Sequence, residues 1–269
     1  MTAPPVPPVV MKIGGNEIDD PAFLAGLAPV VLSVGAPVIV VHGGGREIAA
    51  LQRALGIEPR YLDGVRVTDA ESLAVAEMVL RGAVNTRLVR HLLAGGIMAL
   101  GVSGVDLGLI CAEKMFHPEV DMGFTGVVTD VRADILRGWL AQGIIPVIAP
   151  ICLGADNVYN VNADHVAGAV AAAVAADCVV FLTNVEGVLV NHEPLPALDE
   201  QSARSLIAEG VIFGGMIPKV QTALQTLELG VRRVVITNLK GLQTHGGTVF
   251  TRAVHAAKDE DKGDDEHSS

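Results

Sequence analysis

Six short runs of Val and Ile, with longer amphipathic segments between them, restrict the fold more than any other feature of this 269-residue chain. The runs are 8–13, 37–42, 97–100, 144–149, 178–182 and 233–237. Dominated by Val and Ile and mostly closed by Gly or Asn, they predict strands buried on both faces. The segments 46–55, 70–93, 133–142, 164–175, 200–209 and 217–229 predict helices. Within 70–93, Leu73, Ala76, Leu80, Ala83 and Val84 recur at three- and four-residue steps, which places them on one stripe. Two stretches, 58–67 and 109–128, break the alternation with short β-like pieces and polar turns, and predict hairpins at the sheet's edge. The expected class is α/β, a mainly parallel open sheet sandwiched by helices (αβα).

Charge and composition exclude several partners. The formal net charge is 19 − 30 = −11, so no basic stripe is available to neutralise a nucleic-acid backbone. Aromatic residues at 3% leave little material for a base-stacking platform. Residues 257–269 carry two Lys against six Asp and Glu, a charge block expected to be a disordered tail. The apolar stretch 138–155 is broken by Pro146 and Pro150, and the Ala/Val run 166–176 stops at Asp177 after eleven residues. Neither suits a membrane span. Residues 1–10 are Pro-rich without a basic flank, unlike a signal peptide. Cys111, Cys152 and Cys178 are odd in number and widely spaced, as small buried hydrophobes would be. A cytoplasmic protein without nucleic-acid or membrane partners is expected.

In a parallel sheet, ligands gather where strands end and helices begin. The turns there are Lys12-Ile13-Gly14-Gly15, His42-Gly43-Gly44-Gly45, Asn160-Val161-Asn162-Ala163-Asp164, Thr183-Asn184-Val185-Glu186-Gly187 and Gly214-Gly215-Met216-Ile217-Pro218-Lys219. Glycines at such turns let backbone N–H groups approach an anion and aim a helix N-terminus at it. Each residue also has a plainer reading: Lys12 as a strand-end lysine, Asp164 as a helix cap, Lys219 as a surface lysine, His42 as structural. No turn matches GxxxxGK[ST] or an acid-followed GxGxxG, so P-loop and dinucleotide sites are not supported.

Taken together these residues resemble the acetylglutamate kinases of the amino-acid kinase superfamily. The matching pieces, in the family's order from about residue 10 to 250, are KIGG (12–15), VHGGG (41–45), GVRVT (64–68), EMVLRGAVN (77–85), IPVIAP (145–150), NVNAD (160–164), LTNVEGVL (182–189) and GGMIPK (214–219). GVRVT with VHGGG points to the acetylglutamate branch; the others are shared more widely.

The resemblance implies an amino-acid kinase fold and transfer of the γ-phosphoryl of MgATP to the γ-carboxylate of N-acetyl-L-glutamate, in arginine biosynthesis. It implies catalytic roles for Lys12, Lys219 and Asp164, with the lysines on the moving phosphoryl group and the carboxylate positioning them. Gly44, Gly45, Arg66 and Asn160 would bind the acceptor. Gly14, Gly15, Thr183, Asn184, Gly187, Gly214 and Gly215 would bind ATP, with Mg2+ bridging its phosphates and no protein residue assigned to a metal. Residues 1–176 would form an acceptor-binding and dimerising lobe and 177–256 an ATP lobe. A homodimer built on the 70–93 side is expected. Arginine-inhibited relatives carry an extra N-terminal helix, which Pro4, Pro5, Pro7 and Pro8 do not suit, so a dimer without a ring and weak arginine inhibition are expected. Asn184 stands where the family commonly has an acid, Ser103-Gly104-Val105-Asp106-Leu107 lacks the family's lysine, and the segment 238–250 is short, implying a trimmed helix. The alternatives are a kinase for carrier-bound α-aminoadipate or another small carboxylate, a non-catalytic sensor, and a dehydrogenase.

Overall fold

The computed structural model describes residues 6–15, 17–190 and 193–252. The acidic segment 257–269 and residues 1–5 lie outside them. All six Val/Ile runs contribute strands to one eight-stranded sheet. Across it stand Ala99–Ser103, Ile145–Ala149, Val38–His42, Val9–Ile13, Cys178–Leu182 and Arg233–Thr237, all parallel. Thr248–Thr251 then runs antiparallel, with Ala197–Asp199 beyond it. Helices flank both faces of this α/β sheet. The strands before residue 177 and those after it meet at the central pair Val9–Ile13 and Cys178–Leu182.

Alternation along the strands divides the interior into two cores. Val10, Ile39, Val41 and Val179 pack toward the Ala163–Val174 and Met216–Glu228 helices. Met11, Ile13, Val40 and Val180 pack toward Pro21–Ser33 and the 70–94 helix. Pro21–Ser33 is absent from the sequence reading. Pro29 sits inside it and its apolar residues surround it, so it carries no clear amphipathic stripe. The third run starts two residues late, at Ala99. Gly96 adopts positive φ and the Ile97 amide turns back to the Leu92 carbonyl at 3.0 Å, so Ile97 closes the preceding helix.

Two further expectations need correction. The 70–93 helix is present, but Met78–Val84 is a π-helical turn between Ala70–Glu77 and Asn85–Ala94. The wider winding rotates the stripe: Leu73, Ala76, Leu80 and Val84 are buried while Ala83 is exposed. Nor do the hairpins extend the main sheet. Arg60–Leu62 pairs with Val65–Val67 alone, through an Asp63-Gly64 turn with both φ positive. Ile110–Lys114 and Thr125–Val131 close a four-stranded barrel with Ile151–Leu153 and Val158–Val161. The chain leaves the main sheet at Pro150, which has no N–H for a ladder. Among the described residues, no helix is long and apolar enough to cross a membrane.

Candidate active site

The Gly-rich turns converge over the ends of the central strands, where they form two adjoining clefts. One, of roughly 250 Å³, is lined by Lys12, Gly14, Gly15, Glu17, Asp164, Thr183, Asn184 and Lys219. The other, of roughly 210 Å³, is lined by Gly44, Gly45, Tyr61, Arg66, Thr125, Asn160 and Asn162. Backbone alone separates them: a Cβ on Gly15 would lie 3.2 Å from the Gly45 nitrogen and 3.3 Å from that of Gly44. The amides of Gly15, Gly44 and Gly45 donate no hydrogen bond among the described residues. Gly44 is an N-cap without a side chain, so the Gly45–Ala54 helix presents its first amides uncapped. Gly44 is also required sterically, because a Cβ there would meet Leu80 of the π turn at 2.8 Å.

In the first cleft, the Lys12 Nζ stands 2.8 Å from Asp164 Oδ1, and both side chains are mostly buried. The two meet as charges rather than along a hydrogen-bond axis, and this oxygen accepts no hydrogen bond. Asp164 is not the cap of its helix. Asn162 is, its Oδ1 accepting from the Asp164 amide at 2.7 Å. That frees the Asp164 carboxylate for Lys12. Lys219 lies in the first turns of Met216–Glu228 and makes no ion pair among the described residues.

In the second cleft, Arg66 is buried and held entirely by neutral groups. It donates to Gln52 Oε1, to the Gly45 carbonyl at 3.0 Å and to the Tyr61 hydroxyl at 2.6 Å, with its guanidinium carbon 4.7 Å from the Tyr61 ring centre. Three of its five N–H donors are used, leaving two. Burial, the larger influence, lowers its pKa, and Tyr61 opposes that. A buried cation without a carboxylate partner favours an anionic ligand. Asn160 donates to Thr68 Oγ1 at 3.2 Å beside it.

The structure thus brings together eleven of the fourteen residues singled out from sequence, in two groups. The other three line neither cleft. Gly187 packs against Thr248, where a Cβ would lie 2.7 Å from its hydroxyl, and Gly214 and Gly215 open the helix that carries Lys219. Sequence reasoning missed Tyr61 and Thr125. Tyr61 had a signal: a two-residue Asp63-Gly64 turn pairs residue 61 directly with residue 66. Thr125 had none, since its hydroxyl reaches the Arg66 carbonyl (2.6 Å) across a long loop. His42 is fully buried, as its structural reading expects.

Fold and site together define a phosphotransferase architecture, and comparison agrees. The model of the amino acid kinase family matches residues 7–238. The chain belongs to the amino acid kinase family. Within it the chain groups with the acetylglutamate kinases. One of these, from Roseiflexus castenholzii, is 53% identical over 91% of this chain and 94% of its own length. Another, from Methanopyrus kandleri, is 45% identical over 89% and 98%. Among solved structures, N-acetylglutamate synthase from Neisseria gonorrhoeae, complexed with coenzyme A and N-acetyl-glutamate, superposes with a TM-score of 0.80 at 26% identity. That match covers 92% of this chain and 60% of the synthase chain.

Proposed function

We propose that this enzyme transfers the γ-phosphoryl group of MgATP to the γ-carboxylate of N-acetyl-L-glutamate, giving N-acetyl-L-glutamyl 5-phosphate and ADP, in arginine biosynthesis. The observation that carries the reading is the pairing of clefts: a lysine–aspartate site adjoins a buried arginine with no acidic partner among the described residues. Kinship with acetylglutamate kinases supports the acceptor's identity.

The chemistry needs little beyond charge and position. A carboxylate is already a nucleophile at neutral pH, so no general base is required. One carboxylate oxygen bonds to the γ-phosphorus as the bond from that phosphorus to the β-bridging oxygen breaks, and ADP leaves. No proton moves. The opposition is electrostatic, an anion approaching a polyanion, and lysines and free amides offset it. In this reading Lys12 and Lys219 stabilise the moving phosphoryl group and Asp164 positions them. Gly44 and Gly45 offer amides to the reacting oxygens, Arg66 holds the α-carboxylate with its charge and remaining N–H donors, and Asn160 faces the amino-acid end. Gly14, Gly15, Thr183 and Asn184 line the nucleotide cleft, with Gly187, Gly214 and Gly215 shaping its surroundings. Mg2+ enters with the nucleotide as part of the substrate. Residues 1–176 serve the acceptor and a homodimer contact, and 177–256 the nucleotide, in a cytoplasmic enzyme.

A hydroxamate assay with N-acetylglutamate, glutamate, aspartate and α-aminoadipate tests the acceptor. Hydroxylamine traps the acyl phosphate, and strong turnover is expected with N-acetylglutamate alone. Preference for any of the other three, or none at all, overturns the reading.

A further inference from the structure

The His42 imidazole is fully buried beneath the Gly43-Gly44-Gly45 turn, and no step above uses it. Its Nδ1 lies 2.9 Å from the Gly43 carbonyl oxygen and its Nε2 lies 3.1 Å from Asn85 Nδ2. A carbonyl only accepts, so the first contact requires Nδ1–H. Asn85 Nδ2 also meets the Val147 carbonyl at 2.8 Å, which marks that atom as the amide nitrogen and hence a donor to an unprotonated Nε2. The two contacts specify one neutral tautomer. Burial keeps the ring neutral, with its pKa lowered to about 4.

The consequence falls on the far side of the Gly43–Gly44 peptide. In a trans peptide, C=O and N–H point in opposite directions, and no described peptide is cis. With the Gly43 carbonyl held toward the buried ring, the Gly44 N–H is turned away from it, on the side where Gly15 approaches. A link between two glycines needs such a lock, because without side chains both residues reach alternative backbone states at little steric cost. The opposite orientation would present a carbonyl oxygen where the reaction needs a donor.

We propose that His42, held as the Nδ1–H tautomer by Asn85, is a positioning residue that orients the Gly43–Gly44 peptide with its N–H toward the reacting phosphoryl group. This rests on the reading of the Gly44 turn as part of the phosphoryl-transfer site.

Imidazole 15N spectra of the full chain labelled at histidine, with the His42 signals identified by their loss in His42→Asn, test the tautomer without any activity. Protonated Nδ1 and unprotonated Nε2, unchanged from pH 8 to pH 5, are expected; an Nε2–H ring overturns the proposal. For function, His42→Asn places an amide donor near the old Nδ1, whereas His42→Gln places it near the old Nε2. We expect His42→Gln to lower kcat by about 10²-fold, as for loss of one oriented donor, with the KM for MgATP little changed. His42→Asn should recover most of that loss at a similar melting temperature. Equal turnover in the two variants overturns the proposal, and if neither folds the spectra of the wild-type chain decide it. A wild-type chain inactive toward every acceptor would remove the functional reading while leaving the tautomer result standing.

Discussion

The Lys12 ammonium and the Asp164 carboxylate sit 2.8 Å apart in the first cleft, yet the contacted oxygen is buried and accepts no hydrogen bond among the described residues. The pair is held by charge. Lys219 lines the same cleft and makes no ion pair among the described residues. Replacing either lysine with Ala should lower turnover by roughly 10²–10³, comparable to losing one oxyanion donor, while N-acetylglutamate binding changes far less. Steady-state kinetics with calorimetric binding checks this, and near-normal turnover in Lys219→Ala would remove that residue from the mechanism.

Arg66 makes a different prediction. In the proposed reading it holds the α-carboxylate, remote from the bond being formed, so Arg66→Lys should raise the KM for N-acetylglutamate with a smaller effect on kcat. The ammonium keeps the charge but cannot reproduce a planar contact with Gly45, Tyr61 and a carboxylate together. Tyr61→Leu should raise the same KM by removing both stack and hydroxyl. An unchanged KM in Arg66→Lys would mean that Arg66 is structural.

How far the sequence carries can be seen residue by residue. The strands Cys178–Leu182 and Arg233–Thr237 were legible to the residue, because a strand buried on both faces needs an uninterrupted apolar stretch, Cys178 to Leu182 in one and Val234 to Ile236 in the other. The short helix Leu239–Gln243 matches the trimmed segment expected there. The barrel was illegible: Ile151–Leu153 and Val158–Val161 are short, and although they pair with each other as a hairpin, closure needs Thr125–Val131 and Ile110–Lys114 from far back in the sequence. The π turn was illegible because its apolar spacing fits an α-helix equally well. In the site, resemblance alone implied that Asp164 positions the lysines, and the spacing of residues 12 and 164 carried no sign of their contact. Their 2.8 Å approach depends on Asn162, not Asp164, taking the cap.

His42 gives stability a pH dependence. Its folded pKa of about 4 lies below the ordinary 6.5, so below pH 6.5 the unfolded chain binds a proton that the folded chain excludes. The stabilisation is full above pH 6.5 and is lost as pH falls toward 4. Between pH 7 and pH 5 the loss from this one residue should be on the order of 2 kcal/mol. Denaturant melts at both values, compared with His42→Asn, measure it; an equal pH dependence in the two proteins would contradict the assignment.

Gly15 should tolerate no side chain. A Cβ there would press on the Gly44 and Gly45 amides at 3.2–3.3 Å, between the two clefts. Gly15→Ala should therefore cut kcat by at least about tenfold, since a displacement of under an ångström is costly to an aligned transfer. Its melting temperature should shift little, because the turn lies outside both cores. Full activity in this variant would mean that the reacting groups do not meet across that turn.

The central claim is direct transfer from ATP to the γ-carboxylate of N-acetylglutamate, and 31P NMR of the reaction tests it most directly. With MgATP and N-acetylglutamate, the γ-phosphate resonance should decline as an acyl phosphate resonance and that of ADP rise together. The acyl phosphate signal should be absent with glutamate and lost in Lys12→Ala over the same time. ADP and inorganic phosphate formed without any acyl phosphate intermediate, or an acyl phosphate formed as readily from glutamate, would contradict the account.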